Sequence, residues 1–370
     1  MNNFQLSLVK FLLNVIILFG ACAIVYNIFL TYTTPQKLLN KNSISFLPPK
    51  KVKDYHVWLI FTKVTERSPL RYKFHNLLEN ILNISTVSLK FHIIVDNSSK
   101  YLATNEISDV VSHSNKPIYY KFYDVEICAK AIEDIVEVLT PHFSSKPGIH
   151  TTVFKYYIYI FSILGTYYSD ALFFISLGLY RIAPVSQTRA VLLDCDLYFK
   201  QDIRLLFEEF SRFKTTALYG LAPELTPVYK HVLQIYKSKH NSTFGEYYHL
   251  KNITSHMPHP KGFQGYNSGV VLINLSAIRN SKEYSVIIKN ETVTSLTAKY
   301  KFRGHLGDQD FYTLLGFEYP HLIQTLHCGF NRQLCVWWRD HGYRDVFNFY
   351  FKCKHPTVIL HGNCNTKIPK

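Results

Sequence analysis

The chain has 370 residues, of which 47% are hydrophobic and 18% charged, with Tyr and Phe at 27 each and a formal net charge of +15. That is ample apolar material for the core of one large domain or two. The basic surplus is scattered, with only Lys50, Lys51 and Lys53 bunched and no arginine-rich run, which argues against nucleic acid and for a membrane surface or an anionic small molecule.

Residues 11–30 are nearly free of charge and long enough at helical rise to span a bilayer. They read as a transmembrane signal anchor, with a tail at residues 1–10 before it and a stem at 31–54, carrying Pro35, Pro48 and Pro49, after it. A cleaved signal peptide is the alternative, because Ala21-Cys22-Ala23 has a small-x-small pattern; the apolar run continues past that point, which favours the anchor. Lys10 before the span and Lys37 and Lys41 after it leave the positive-inside rule undecided. Sequons at Asn83, Asn97, Asn241, Asn252, Asn274 and Asn290 favour a lumenal placement of residues 55–370. Asn274 lies in an apolar run and is expected to be buried and unmodified.

From Val57 the pattern becomes that of a packed domain. Val57 to Phe61 is a first apolar strand, Tyr72 to Leu82 has apolar residues at helical spacing, and Phe91 to Asp96 is a second strand. Strand, helix, strand implies a parallel α/β sheet. Ala131 to Leu139 and Ile203 to Phe210 are expected as further helices, and Ala217 to Gly220 and Ser268 to Leu275 as further strands. Residues 153–180 are strongly apolar but interrupted by Lys155, Asp170 and their neighbours, so they are expected to form a buried helix, not a second span. Among the seven cysteines, Cys22 falls in the span, Cys195 in a strand and Cys128 alone, the last expected as a buried free thiol. Cys328, Cys335, Cys353 and Cys364 cluster near the end; their spacing lacks a C-x₂₋₄-C pair for zinc, so disulfides in an oxidising lumen are favoured, with three pairings open.

Four motifs carry chemistry. In Ala190-Val191-Leu192-Leu193-Asp194-Cys195-Asp196 a buried apolar strand runs into two carboxylates, which suit a hard divalent cation bridging to phosphate if strand geometry turns both to one side. Alone, such a triplet also fits a solvated strand end. Gly265-Tyr266-Asn267-Ser268-Gly269 offers side-chain hydrogen bonds and close backbone approach ahead of an apolar strand. Gly307-Asp308-Gln309-Asp310 places two carboxylates and an amide before an apolar helix, and a helix cap explains only one of them. Thr357 to Leu360 reads as a strand ending in His361-Gly362-Asn363, where a neutral imidazole can complete a metal site.

In this order the four motifs resemble glycosyltransferase family 8. The segments Phe302 to Phe311, Asn331 to Tyr343 and His361 to Thr366 narrow the resemblance to the xylosyltransferases of that family, over about residues 56–369. The resemblance implies a GT-A (Rossmann-like) domain with a mixed, mostly parallel sheet, a retaining mechanism and Mn²⁺, with Mg²⁺ as an alternative. It implies an endoplasmic reticulum enzyme, single-pass with its catalytic domain lumenal, that takes UDP-xylose and adds an α1,3-linked xylose to xylosyl-glucose on EGF-like repeats, Notch included. Carried over by motif, Asp194, Asp196 and His361 would hold the metal. Phe61, Thr62 and Lys63 would meet the nucleotide part of the donor, Ser268, Leu306 and Gln309 its sugar, and Cys195 would also bind the UDP-xylose. Gln309 would also be the residue beneath the reacting carbon. His231, Val232, Leu233, Gln234, Gln309, Trp338 and Asn363 would meet the acceptor. Cys328–Cys353 and Cys335–Cys364 would be the disulfides.

Two positions depart from the pattern. Cys195 stands where the family usually has an aliphatic residue, and His231-Val232-Leu233-Gln234 lacks the expected aromatics. The alternatives are a family 8 enzyme using UDP-glucose or UDP-galactose, and a catalytically silent lumenal binding protein that keeps the fold.

Overall fold

A computed structural model describes residues 55–114, 116–144, 171–246 and 262–369. The expected anchor and stem lie outside these residues, as does most of the apolar stretch at 153–180. Among the described residues no helix is long and apolar enough to cross a membrane.

The main sheet has seven strands in the order β3-β2-β1-β4-β7-β6-β8. These are β1 (His56–Phe61), β2 (Lys90–Val95), β3 (Tyr119–Asp124), β4 (Ala190–Leu193), β6 (Tyr219–Pro223), β7 (Tyr266–Ile273) and β8 (Ile323–Thr325). The pairs β1–β2, β2–β3, β1–β4 and β6–β8 are parallel, and β7 runs antiparallel to β4 and β6. This is the mixed, mostly parallel sheet expected. A second sheet joins β5 (Leu197–Phe199), β10 (Ile359–His361) and β9 (Arg332–Gln333), in that order.

The helices are α1 (Pro69–Ile84), α2 (Asn97–Ser114), α3 (Val125–Ala131), α4 (Glu133–Phe143), α5 (Ile175–Ile182), α6 (Arg204–Glu208), α7 (Val228–Val232), α8 (Gln234–His240), α9 (Leu275–Asn280), α10 (Lys282–Ile287), α11 (Asn290–Lys299), α12 (Asp308–Glu318), α13 (Trp337–Asp340) and α14 (Arg344–Phe351).

Alternation within wholly apolar strands explains the layering. On β1, Val57, Leu59 and Phe61 pack to one face with Phe74, Leu77 and Ile81 of α1 and Ala103 and Ile107 of α2. Trp58 packs to the other face with the helices α3 to α5 and α9 to α12. Both faces are therefore dry, and each fully buried Val or Leu contributes about 1.5–3 kcal/mol.

Several expected elements shift. The helix placed at 131–139 is two helices, α3 and α4, with Ile132 between them. The strand at 217–220 begins two residues later, and the one at 268–275 runs from Tyr266 to Ile273. It stops there because the Asn274 side chain accepts from Ala277 N and caps α9, so Asn274 is half-buried. α2 escapes the apolar pattern. It is started by Asp96, whose Oδ1 accepts from Ser99 N at 2.7 Å.

Both disulfides are present in the pairing the resemblance implies, Cys328–Cys353 and Cys335–Cys364. Their loops, 25 and 29 residues apart in sequence, correspond to about 3–4 kcal/mol each on a chain-entropy scale. Cys128 and Cys195 are free and buried.

Candidate active site

The site lies where β4 leaves the main sheet. Asp194 N donates to Gly269 O (2.9 Å), adding one rung to the β4–β7 ladder before the chain bends at Cys195 and Asp196 into β5. The two carboxylates thus converge through a turn, not through continued pleating as the sequence suggested. β10 pairs antiparallel with β5, His361 opposite Leu197, and Gly362 N donates to Asp196 O (2.8 Å). That register sets His361 Nε2 3.6 Å from Asp194 Oδ2 and 3.3 Å from Asp196 Oδ1. One ligand atom from each of the three residues lies within 4.8 Å of the others.

The imidazole is held from behind by a buried chain of hydrogen bonds. It starts at Glu224, a fully buried carboxylate that only accepts. Asn267 Nδ2 donates to Glu224 Oε2 (2.9 Å), leaving Asn267 Oδ1 to accept from Asn331 Nδ2 (2.7 Å) and Gly269 N (3.1 Å). Asn331 Oδ1 then faces His361 Nδ1 at 2.9 Å. By this logic Nδ1 carries the proton and Nε2 points its other valence at the carboxylates. Burial opposes charge on His361, but Asp196 and Asp194 outweigh it and raise its pKa. Burial likewise opposes charge on Asp196, but His361 and Lys73 hold its carboxyl down at about 2. A divalent cation fits this donor set: two carboxylate oxygens and one oriented imidazole nitrogen.

A cavity of about 390 Å³ opens beside the triad, lined by Ile60, Lys73, Phe173, Asp194, Cys195, Asp196, Ser268, Leu306 and Asp308 among others. Ser268, Leu306 and Cys195, expected at the donor, line this cavity beside the triad. Burial pushes the Asp308 carboxyl up to about 7, and Ser176 Oγ donates to it. Asp310 is also raised to about 7 by burial, but it accepts from Tyr229 Oη (2.9 Å) and Leu306 N (2.8 Å), so it braces the loop beside the cavity. Gln309 donates to Glu224 Oε2 and accepts from Ser268 N, both at 3.3 Å, so both ends of its amide are engaged.

Other expected contacts need correction. Phe61 is fully buried against Phe74 and Thr62 is buried, so only backbone at the end of β1 can face a ligand there. Lys63 is exposed, with a positive φ of 58°, and its N–H is held by Asp96 Oδ2. Leu233 is fully buried in the core and cannot offer its side chain to an acceptor. His231 and Gln234 are exposed and Val232 half-buried. The missing aromatics come from elsewhere in the fold: His231 lies 5.3 Å from the Trp338 ring and bonds Tyr343 Oη through Nδ1 at 2.7 Å. Asn363 Oδ1 accepts from Leu334 N (3.1 Å) and Cys335 N (2.9 Å), which fixes the loop leading to Trp338. Glu224 and Lys73 had no signal in the sequence and Asn331 only its place in a matched segment, because each reaches the site through partners distant along the chain.

No family model matches the chain. It is 39% identical over 324 residues to human xyloside xylosyltransferase 1, covering 86% of this chain and 75% of that protein. The chain belongs to the xyloside xylosyltransferase family. The mouse protein is 38% identical over the same shares of both chains, 86% and 75%. Its crystal structure, in the apo form, superposes with a TM-score of 0.73 over 85% of this chain and all of that one, at 37% identity. Human xylosyl- and glucuronyltransferase LARGE1 is 29% identical over 49% of this chain and 21% of its own length. The chain is thus a glycosyltransferase with a GT-A-like fold.

Proposed function

We propose that this protein transfers xylose from UDP-xylose to the xylose of xylosyl-glucose on EGF-like repeats, Notch-type repeats included, forming an α1,3 linkage with retention and with Mn²⁺ as cofactor. The observation that carries the reading is the oriented Asp194–Asp196–His361 triad beside the cavity lined by Ser268, Leu306 and Asp308. Family membership supports xylose as the sugar.

A divalent cation held by Asp194, Asp196 and His361 would supply Lewis acidity toward the leaving diphosphate. Ser268, Leu306 and Asp308 enclose the donor sugar, and the backbone at Phe61 to Lys63 meets the nucleotide. Gln309 supplies no nucleophile: it is an amide, with both ends already hydrogen-bonded. Retention is therefore assigned to attack from the face that the diphosphate vacates. The acceptor oxygen bonds to C1 as the C1–O(phosphate) bond breaks, and a phosphate oxygen takes the acceptor's proton. The His231, Trp338 and Tyr343 cluster is the platform for the acceptor.

In this reading residues 11–30 are a signal anchor and the domain lies in the endoplasmic reticulum lumen. Disulfides and exposed Asn83, Asn97, Asn241 and Asn290 support that placement. The test is UDP release from UDP-xylose, UDP-glucose and UDP-galactose, each with and without a xylosyl-glucose acceptor. Acceptor-stimulated release from UDP-xylose, abolished by chelation, is expected. Preference for another donor, or full activity in chelator, overturns the donor or the metal assignment respectively.

A further inference from the structure

Lys73 projects from α1 toward the metal triad. Its Nζ lies 3.2 Å from Asp196 Oδ2 and 2.9 Å from Asn365 Oδ1. It is the one lysine or arginine among the residues lining the 390 Å³ cavity, and it also lines the larger cavity of about 870 Å³ between α1 and the C-terminal segment. The two cavities share Lys73, Cys195 and Asp196, so the ammonium stands where they adjoin.

Charge balance says what the ammonium is for. Asp194 and Asp196 together cancel a divalent cation. A nucleoside diphosphate sugar adds a negative charge on each phosphate, and the released nucleoside diphosphate carries more. At the 390 Å³ cavity, beside the carboxylates, Lys73 is the cation among the described residues that can meet that excess; Lys367 lines only the larger cavity. The ammonium lies against the Asp196 carboxylate and is placed to act as its counter-ion. A cation on Asp196 repels it, and the flexible four-carbon stem lets it swing to a phosphate oxygen.

We propose that Lys73 is a diphosphate-binding residue that holds the place of the cation in the metal-free site and turns to the donor's phosphates when the metal binds. This rests on the metal and donor reading above. It predicts effects of opposite sign from one substitution, which a mere tie between α1 and Asn365 does not.

The test is calorimetric titration of the full chain with Mn²⁺ alone, then with UDP at saturating Mn²⁺. In Lys73→Met, Mn²⁺ alone should bind several-fold tighter, and UDP about tenfold or more weaker, which is about 1.4 kcal/mol. Lys73→Arg should recover most of the UDP affinity. Asn365→Ala, which cuts the tie and keeps the charge, should bind UDP like the unaltered chain. UDP affinity in Lys73→Met within twofold of the unaltered chain, or a fall in Mn²⁺ affinity alongside UDP affinity, overturns the proposal. If the unaltered chain itself shows no Mn²⁺-dependent UDP binding, the metal and donor reading fails, and the Lys73 assignment with it.

Discussion

Gly269 is the most sensitive position for testing how the metal ligand is held. A Cβ built on it would lie 2.3 Å from His361 Cε1, 2.7 Å from Nδ1 and 3.1 Å from Nε2. Ordinary contact starts near 3.4 Å, so Gly269→Ala requires the ring to retreat by about 1 Å. It has nowhere to go cheaply. Asn331 holds Nδ1, and β5 and β9 fix the backbone of His361 from both sides. Misplacing a ligand by that much should weaken Mn²⁺ about 10–100-fold, or about 1.4–2.7 kcal/mol. Overpacking should also cost about 1–3 kcal/mol of stability. Gly220→Ala is the control: its Cβ would meet Phe213 at 2.8 Å and Leu272 Cβ at 3.0 Å, on the same sheet but away from His361. Both variants should melt earlier, and only Gly269→Ala should lose Mn²⁺ affinity by calorimetry. Gly269→Ala that binds Mn²⁺ within twofold of the unaltered chain refutes the reasoning.

Asn331→Ala should lower Mn²⁺ affinity about 10–100-fold by freeing the imidazole; affinity equal to that of the unaltered chain dissolves the orienting role. His92 is buried, stacked on Trp58 at 4.5 Å, with His56 Nδ1 2.8 Å from its Nε2, and burial first and then His56 depress its pKa to about 3. A depressed histidine stabilises the fold above pH about 6.5 and loses that contribution as pH falls toward 3. Allowing for screening, denaturant unfolding should show about 1–2 kcal/mol lost between pH 7 and pH 5, and less in His92→Phe; equal loss in both chains would contradict it.

The strands legible in the sequence as apolar runs were β1, β2 and β4, with β6 and β7 each displaced by two residues. Burial on both faces writes a strand into composition, so no alignment of distant parts is needed to see it. β3, with Tyr119 and Tyr120 exposed, and β5 and β9 of the second sheet have no such run, whereas β10 was legible in the run from Thr357 to Leu360; α2 begins on a polar stretch whose cap, Asp96, directly follows β2. The Asp194–Cys195–Asp196 triplet and His361 were each visible as residue types. Their convergence was not: 165 residues separate Asp196 from His361, and only the antiparallel register of β10 on β5 brings them within 3.3 Å.

Local sequence determined the carboxylates, the apolar strand that delivers them and the oxidising chemistry of the cysteines, because each is written in neighbouring residues. Tertiary structure alone decided the rest. Glu224 gains its role only by anchoring the Asn267–Asn331–His361 chain, and Lys73 only by reaching from α1 to Asp196. Phe61 and Leu233, expected at the ligand, turn into the core instead. A side chain's neighbours, not its position in a motif, set whether it faces a ligand, and those neighbours are supplied by strand register and packing over long separations in sequence.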